Sequence, residues 1–303
     1  MRYEREQQMI KLQDIIDFLK KEKVKFEFIG DFNDTIIGFS SLGNYKPGTI
    51  TWCKTDDDFD EKIKSGYKLL VSSKHKEGIS DNCIVTVNPK AVFFPIIENF
   101  FQTENGLPDV GHGTYISSNV KIGKNVRIGY NCVIDGDISI GDNTVIYNNV
   151  TIINNVDIGE NCVIHSGTVI GHDDYSYIED EEHRKRMIKH YGGVDIGNDV
   201  LIGPLCVINR GTIDNTVIEE GCKIDAQCLV SHNARLGKHS ALVGGAKIYG
   251  SVETGENFYI ASAMIKNQLK AGKNVVVGMG SVVLKDIDDD TTVVGIPAKP
   301  LIK

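Results

Sequence analysis

The sequence predicts a mainly β protein, a triangular parallel β-coil preceded by a small α/β domain. Three observations carry this. Residues 1–105 mix helical spacing with short β-branched runs, and the pattern changes at Val110. From there a branched aliphatic residue recurs at every sixth position. Glycine is abundant (31) and proline scarce (7), which suits a regular fold with many tight corners.

The first domain reads in order. In QQMIKLQDIIDFLKKEK, Met9, Leu12, Ile15, Ile16 and Leu19 fall on one helical face. KFEFIG, TIIGFSSL, GTITWC, YKLLVSS and NCIVTV read as short strands. Asn88 followed by Pro89 is a cap and first-turn pair, opening a helix over PKAVFFPIIENFF. Pro95 inside it predicts a kink or a later start. The segment QTENGLPDVGHG is the expected boundary.

The second domain, expected over 106–285, is built on the six-residue step. It runs Val110, Ile116, Ile122, Ile128, Ile134, Ile140, Ile146, Ile152, Ile158, Ile164, Ile170. It resumes at Ile196, Ile202 and Ile208. After a four-residue slip it continues at Ile218, Ile224, Val230, Leu236, Leu242 and Ile248, then decays past Thr254. Period six fits three short sides of a prism, with one turn every 18 residues or so and coils stacked at strand spacing. Small or medium residues fill the corners, and Cys132, Cys162, Cys206, Cys222 and Cys228 all fall there, as packing residues. A charged, aromatic interruption, loop 171–193, stands outside the register, with DDYSY near its base reading as a site wall. Residues 286–303 read as a C-terminal tail.

Composition excludes some classes. The net charge of -8 argues against a general nucleic-acid binder. No apolar run reaches transmembrane length, so no membrane span is expected. The start, MRYEREQQMIKLQDII, lacks an apolar signal core, so a cytoplasmic protein with reduced cysteines is expected.

His232 lies two residues past the anchor Val230 and is expected to point outward from a flat side of the coil. One coil on stands Gly250, which leaves the backbone N–H open. An imidazole can take a proton from an attacking amine. A backbone N–H can hold the oxyanion of acyl transfer. His239 falls on an adjacent side and does not stack on His232. An exposed surface histidine is the bland reading of His232. Zinc is the rival use, yet His165/His172 and His232/His239 each have six residues between them, where the carbonic anhydrases of this fold have four. No metal is therefore expected.

The stretch INRGTIDNTVIEEGCKIDAQCLVSHNARLGKHSALVGGAKIYGS closely resembles the core of the UDP-3-O-acylglucosamine N-acyltransferase family, and the resemblance covers nearly the whole chain. It implies a left-handed β-helix and a homotrimer. TIIGFSSLGNYKPGTITWCKT resembles that family's uridine-binding domain, and IGHDDYSY with YGGVDIGNDVLIG its loop and return to the coil. By resemblance His232 is the general base and Gly250 the oxyanion donor. Trp52 stands where an aromatic stacks on the base, with Thr55 replacing an asparagine three residues on. Tyr175, Tyr177, Arg210, Asp214, Asp225 and Asn233 fall at substrate-side positions. A corner hydrogen-bonding role is equally open for Asp214 and Asp225. Gly245, Ala263, Asn267 and Gly278 line the expected donor path. The family's second histidine is missing near Leu269, and the ending VVGIPAKPLIK looks like that of coenzyme-A-dependent relatives.

The expectation is an N-acyltransferase moving an acyl group from acyl-CoA to the amine of a UDP- or dTDP-linked amino sugar, for surface polysaccharide or lipid synthesis. The alternative is the lipid A enzyme, acylating UDP-3-O-(3-hydroxyacyl)glucosamine from acyl carrier protein. A γ-type carbonic anhydrase or an inactive binding scaffold are further alternatives.

Overall fold

A computed structural model describes residues 9–55, 58–59, 64–101 and 106–301. Gln7 and Gln8 of the expected first helix, residues 102–105 of the expected boundary and the last two tail residues lie outside these. The chain divides into two units, residues 1–105 and 106–303.

In the first unit, the helix Leu12–Lys21 buries Leu12, Ile15, Ile16 and Leu19. Lys20 and Lys21 in its last turn complement the helix dipole. Met9 is exposed, because it precedes the helix and so leaves the apolar face. The main sheet runs Glu27–Ile29, Ser80–Val85, Tyr67–Ser72, Ile50–Trp52. Its first pair is antiparallel and the other two are parallel. The stretch TIIGFSSL holds the strand Thr35–Ile36, paired with Ile10–Lys11, and a bridge from Phe39 to Ile50, and a short 3₁₀ turn, Leu42–Asn44, begins at its end. The helix Pro89–Phe101 starts at Pro89 and runs through Pro95. Asn88 caps it, its Oδ1 accepting the Ala91 N–H at 3.2 Å. One apolar cluster joins both helices to the sheet through Ile16, Leu69, Ile84 and Ile96.

The second unit is a parallel β-solenoid with three faces. One face stacks Arg127–Ile128, Val145–Ile146, Val163–Ile164, Leu201–Ile202, Lys223–Ile224 and onward to Thr292–Val294. The other two faces form a continuous sheet, because the strands Val133–Ile140 and Thr151–Ile158 run around a corner without breaking their pairing. Anchor pairs with anchor throughout, as in Ile134 with Ile152 and Ile146 with Ile164. From Ile128 to Ile248 these anchors are buried in one core, each side chain contributing about 1.5–3 kcal/mol. Val110 and Ile122, anchors of the first coil, are exposed. All five corner cysteines are free and buried.

The corners explain the recurring asparagines. Asn125, Asn143 and Asn161 sit at φ 56°, 59° and 56°. Asparagine tolerates the left-handed region at low cost, and their amides ladder at 3.1 and 3.2 Å.

The repeat does not decay past Thr254. It slips: Ile260 and Ile265 are five residues apart, and the pairing Ile248 with Ile265 follows a coil shortened by one residue. Ala271, Val277, Val283, Ile287 and Val293 continue the core. The stack therefore runs to Val294, past the expected end at 285, and the tail residues Lys299–Pro300 fold back on it antiparallel.

Candidate active site

His232 does not lie on a flat side. It opens the turn between the strands Leu229–Val230 and Arg235–Leu236, and the left-handed Asn233 (φ 58°) completes that corner. Strand register stacks equivalent positions above and below it. Arg210 lies one coil below, Gly250 one coil above, and Asn267 one above that. Because the backbone turns here, the His232 side chain is half-buried against its neighbours.

The hydrogen bonds fix its tautomer. Asn233 Oδ1 accepts the Thr212 N–H at 3.1 Å and the Thr212 hydroxyl at 2.8 Å. Asn233 Nδ2 donates to the Asp214 carbonyl at 2.8 Å. The amide orientation is thereby set, so His232 Nδ1, 3.1 Å from Oδ1, must be the donor. Nε2 then carries the lone pair. It faces Gly250: a Cβ on that glycine would stand 2.5 Å from Nε2. The Gly250 N–H donates no hydrogen bond among the described residues, although the neighbouring Ser251 N–H reaches the His232 carbonyl at 2.9 Å. A proton acceptor and an unspent backbone donor thus share one corner. Proton removal and oxyanion stabilisation can occur side by side.

The expected loop 171–193 carries a two-stranded hairpin. Tyr177–Glu179 pairs with Lys185–Met187 as a hairpin, laced by Arg184 to Asp180 (2.8 Å) and Lys185 to Glu179 (2.9 Å). Its base is tied to the coil. Buried Arg210 donates from Nε to the Gly192 carbonyl at 2.7 Å and lies 3.9 Å from the Asp173 carboxylate. Gly193 N–H donates to Asn215 at 2.6 Å. Asp174, the next residue, accepts the His232 backbone N–H at 2.9 Å and the Tyr175 N–H at 2.7 Å. Burial alone would raise the Asp174 carboxyl. Those two N–H groups, the Asn209 side chain and the nearby His232 ring outweigh it and hold it below the usual carboxylate range.

The expected residues divide. His232, Gly250, Arg210 and Asn267 share one column, Asn233 stands beside His232 in the same turn, and Asp214 joins through its carbonyl. Tyr175 and Tyr177 are exposed on the hairpin, their rings 5.6 Å apart. Asp225 and Gly245 belong to another corner. There Asp225 accepts the Ala226 and Gly244 N–H groups at 2.7 and 3.0 Å, which favours its corner-stapling role. Gly278 sits on the first face, its N–H bonded to Val293. Ala263 turns its methyl into the core at a corner position, which leaves only its backbone to face a groove. In the first unit, Trp52 is half-buried, stacked on Phe93 at 5.8 Å with Phe94 edge-on at 5.6 Å. Thr55 Oγ1 accepts the Asp58 N–H at 3.0 Å. Sequence reasoning placed Asp174 only within the DDYSY wall, without its contact to His232, and it missed His190. Both lie off the six-residue period. Among the described residues no group of three or more His, Cys, Asp or Glu is arranged to hold a metal.

Comparison with known proteins places the chain in a family. The family model described as bacterial transferase hexapeptide (six repeats) matches residues 137–172, and that described as hexapeptide repeat of succinyl-transferase matches 119–154. The UDP-3-O-acylglucosamine N-acyltransferase of Campylobacter lari is 30% identical over 302 residues, covering 95% of this chain and 93% of its own length. That of Coxiella burnetii is 31% identical over 244 residues, covering 73% and 70%. Among solved structures, the UDP-N-acetylglucosamine acyltransferase of Bacteroides fragilis overlays with TM-score 0.57 at 26% identity, over 62% of this chain and 72% of its own. The solenoid is accordingly a left-handed β-helix, and the protein is an acyltransferase. The chain belongs to the UDP-3-O-acylglucosamine N-acyltransferase family.

Proposed function

We propose that this enzyme transfers an acyl group from a thioester to the amine of UDP-3-O-acylglucosamine, forming the amide. The observation that carries the reading is the His232 corner, with its free Nε2 against the unspent Gly250 N–H. The substrate follows the name shared by relatives aligned over most of the chain. This favours the lipid A reading over the dTDP-sugar one.

His232 Nε2 accepts a proton as the amine nitrogen attacks the thioester carbonyl carbon. Asn233 Oδ1 holds the Nδ1–H and so stabilises the imidazolium that forms. The Gly250 N–H binds the oxyanion. The C–S bond then breaks, and the imidazolium returns the proton to the leaving thiolate. No nucleophilic serine or cysteine is required, and the corner cysteines are buried in the core. Trp52 stacks on the uracil base, its other face resting on Phe93, and Tyr175 and Tyr177 contact the acceptor. Asn267, one coil above Gly250, lies on the donor's pantetheine side.

The working form is a homotrimer. Outward positions beside the His232 corner carry Val207, Tyr249, Met264 and Leu284, all exposed in the single chain, and apolar solenoid faces of this kind favour burial against a copy. One assay tests the reaction and its donor together. Thiol release is followed with UDP-3-O-acylglucosamine and either hydroxyacyl carrier protein or hydroxyacyl-CoA. Turnover with the carrier protein supports the lipid A reaction, and turnover with CoA alone supports a CoA-dependent enzyme. No acceptor-dependent release with either would overturn the reading.

A further inference from the structure

His190, the last histidine before the chain re-enters the coil, is wholly buried. Its ring lies 5.7 Å from that of His232, with the planes at 74°. Its Nδ1 lies 3.2 Å from the Ile188 carbonyl. A carbonyl can only accept, so Nδ1 carries the proton and Nε2 the lone pair. That Nε2 is buried and has no hydrogen-bond partner among the described residues. Its backbone is held as well, the His190 N–H reaching Asp173 Oδ2 at 3.4 Å. Native interiors rarely leave such an acceptor unmet. A leucine or phenylalanine would fill the same space without this cost.

We propose that His190 is a positioning residue for His232, its neutral, electron-rich ring steadying the imidazolium that His232 becomes during acyl transfer. This rests on the reading of His232 as general base. In the resting enzyme the His190 acceptor has nothing to do. When His232 takes the amine proton, a positive ring appears beside it. Attraction between a cation and an aromatic face or lone pair is strongest where water is excluded. The other charged groups around the pair are fixed. Asp174 holds the His232 backbone N–H, Asp173 sits between the His190 N–H and Arg210, and Arg210 is turned to the Gly192 carbonyl. Asp214 approaches only by its backbone carbonyl.

The test is His190→Phe in the full-length enzyme, with His190→Gln as the variant that keeps an acceptor near the Nε2 position. If the phenyl variant yields no folded protein, His190→Leu replaces it. We expect the phenyl or leucyl variant to melt at or above the wild-type temperature, since an unmet acceptor is gone. Its KM should stay within about twofold while kcat falls roughly tenfold. The acidic limb of its kcat/KM profile should move to lower pH, because His232 becomes the weaker base. His190→Gln should recover part of the rate. In a His232→Ala background His190→Phe should have no further effect. Wild-type kcat and profile in His190→Phe would overturn the proposal, as would an equal further loss in the His232→Ala background. A lowered melting point with His190→Gln no better than His190→Phe would also overturn it, leaving a packing role. Near-normal turnover in His232→Ala would instead sink the general-base reading itself.

Discussion

Gly250→Ala probes the corner with a single methyl group. The added Cβ would stand 2.5 Å from His232 Nε2, 2.6 Å from Cε1 and 3.1 Å from Cδ2. Comfortable contacts between such atoms lie near 3.5 Å, so the ring must yield by about 1 Å. The backbone gives no relief, since residue 251 and the strand after it are held by the ladder to the coil below. Gly250 is not among the positive-φ positions, so alanine fits its conformation. The fold should therefore lose only about 1 kcal/mol. The displaced ring gives up either its Asn233 bond or its approach to the amine. A misplacement of about 1 Å at a reacting group costs on the order of 10²-fold. We expect acceptor-dependent thiol release to fall by about that factor, with normal assembly and a melting point close to wild type. Wild-type turnover in Gly250→Ala would refute the claim that Nε2 works against this glycine.

The remaining predictions concern the base, the nucleotide, the loop and the donor. His232→Ala should fold and slow acyl transfer by ~10²–10⁴-fold, measured as amide formed per enzyme. Trp52→Ala should weaken UDP binding by roughly tenfold or more in calorimetry, whereas Trp52→Phe should retain most of it, and unchanged affinity in the alanine variant would remove the stacking role. Asp174 lies below the usual carboxylate range in the folded state, so its stabilising contribution is present above about pH 4 and is lost as pH falls through its folded value. Hydrogen-exchange protection of residues 172–193 should drop over that acid window in the wild type. In Asp174→Asn it should be low already and lack that drop. Comparing hydroxyacyl carrier protein with hydroxyacyl-CoA, at equal concentration, should give acceptor-dependent thiol release from one of them and identify the donor.

The fold was legible because a period of six has few structural solutions. An anchor such as Ile202 and a corner such as Cys206 were assignable from spacing alone, and so was the stacking of Gly250 on His232. What spacing could not supply was anything off the register. Asp174 and His190 reach the site through an insertion whose path depends on Arg210, Gly192 and Asn215, a set of long-range hydrogen bonds with no periodic signature. The shortened coil at Ala261–Ala263 shifted the frame by one residue, so the repeat seemed to end where it only slipped. Ala263, expected on the donor path by resemblance, turns its methyl into a core corner, a direction the residue type alone does not reveal. His232 itself was placed on a flat side because two residues past an anchor can be strand or turn, and only the left-handed Asn233 decides for the turn.

The central claim is that the His232 corner makes an amide from a thioester and an amino sugar. It is tested most directly by single-turnover assays with labelled hydroxyacyl thioester, in the presence and absence of UDP-3-O-acylglucosamine, for the wild type and His232→Ala. The account predicts that amide and free thiol appear together, only with the acceptor, and at least 10²-fold more slowly in His232→Ala. Thiol released at the same rate without the acceptor, or amide formed equally fast without the imidazole, would contradict it.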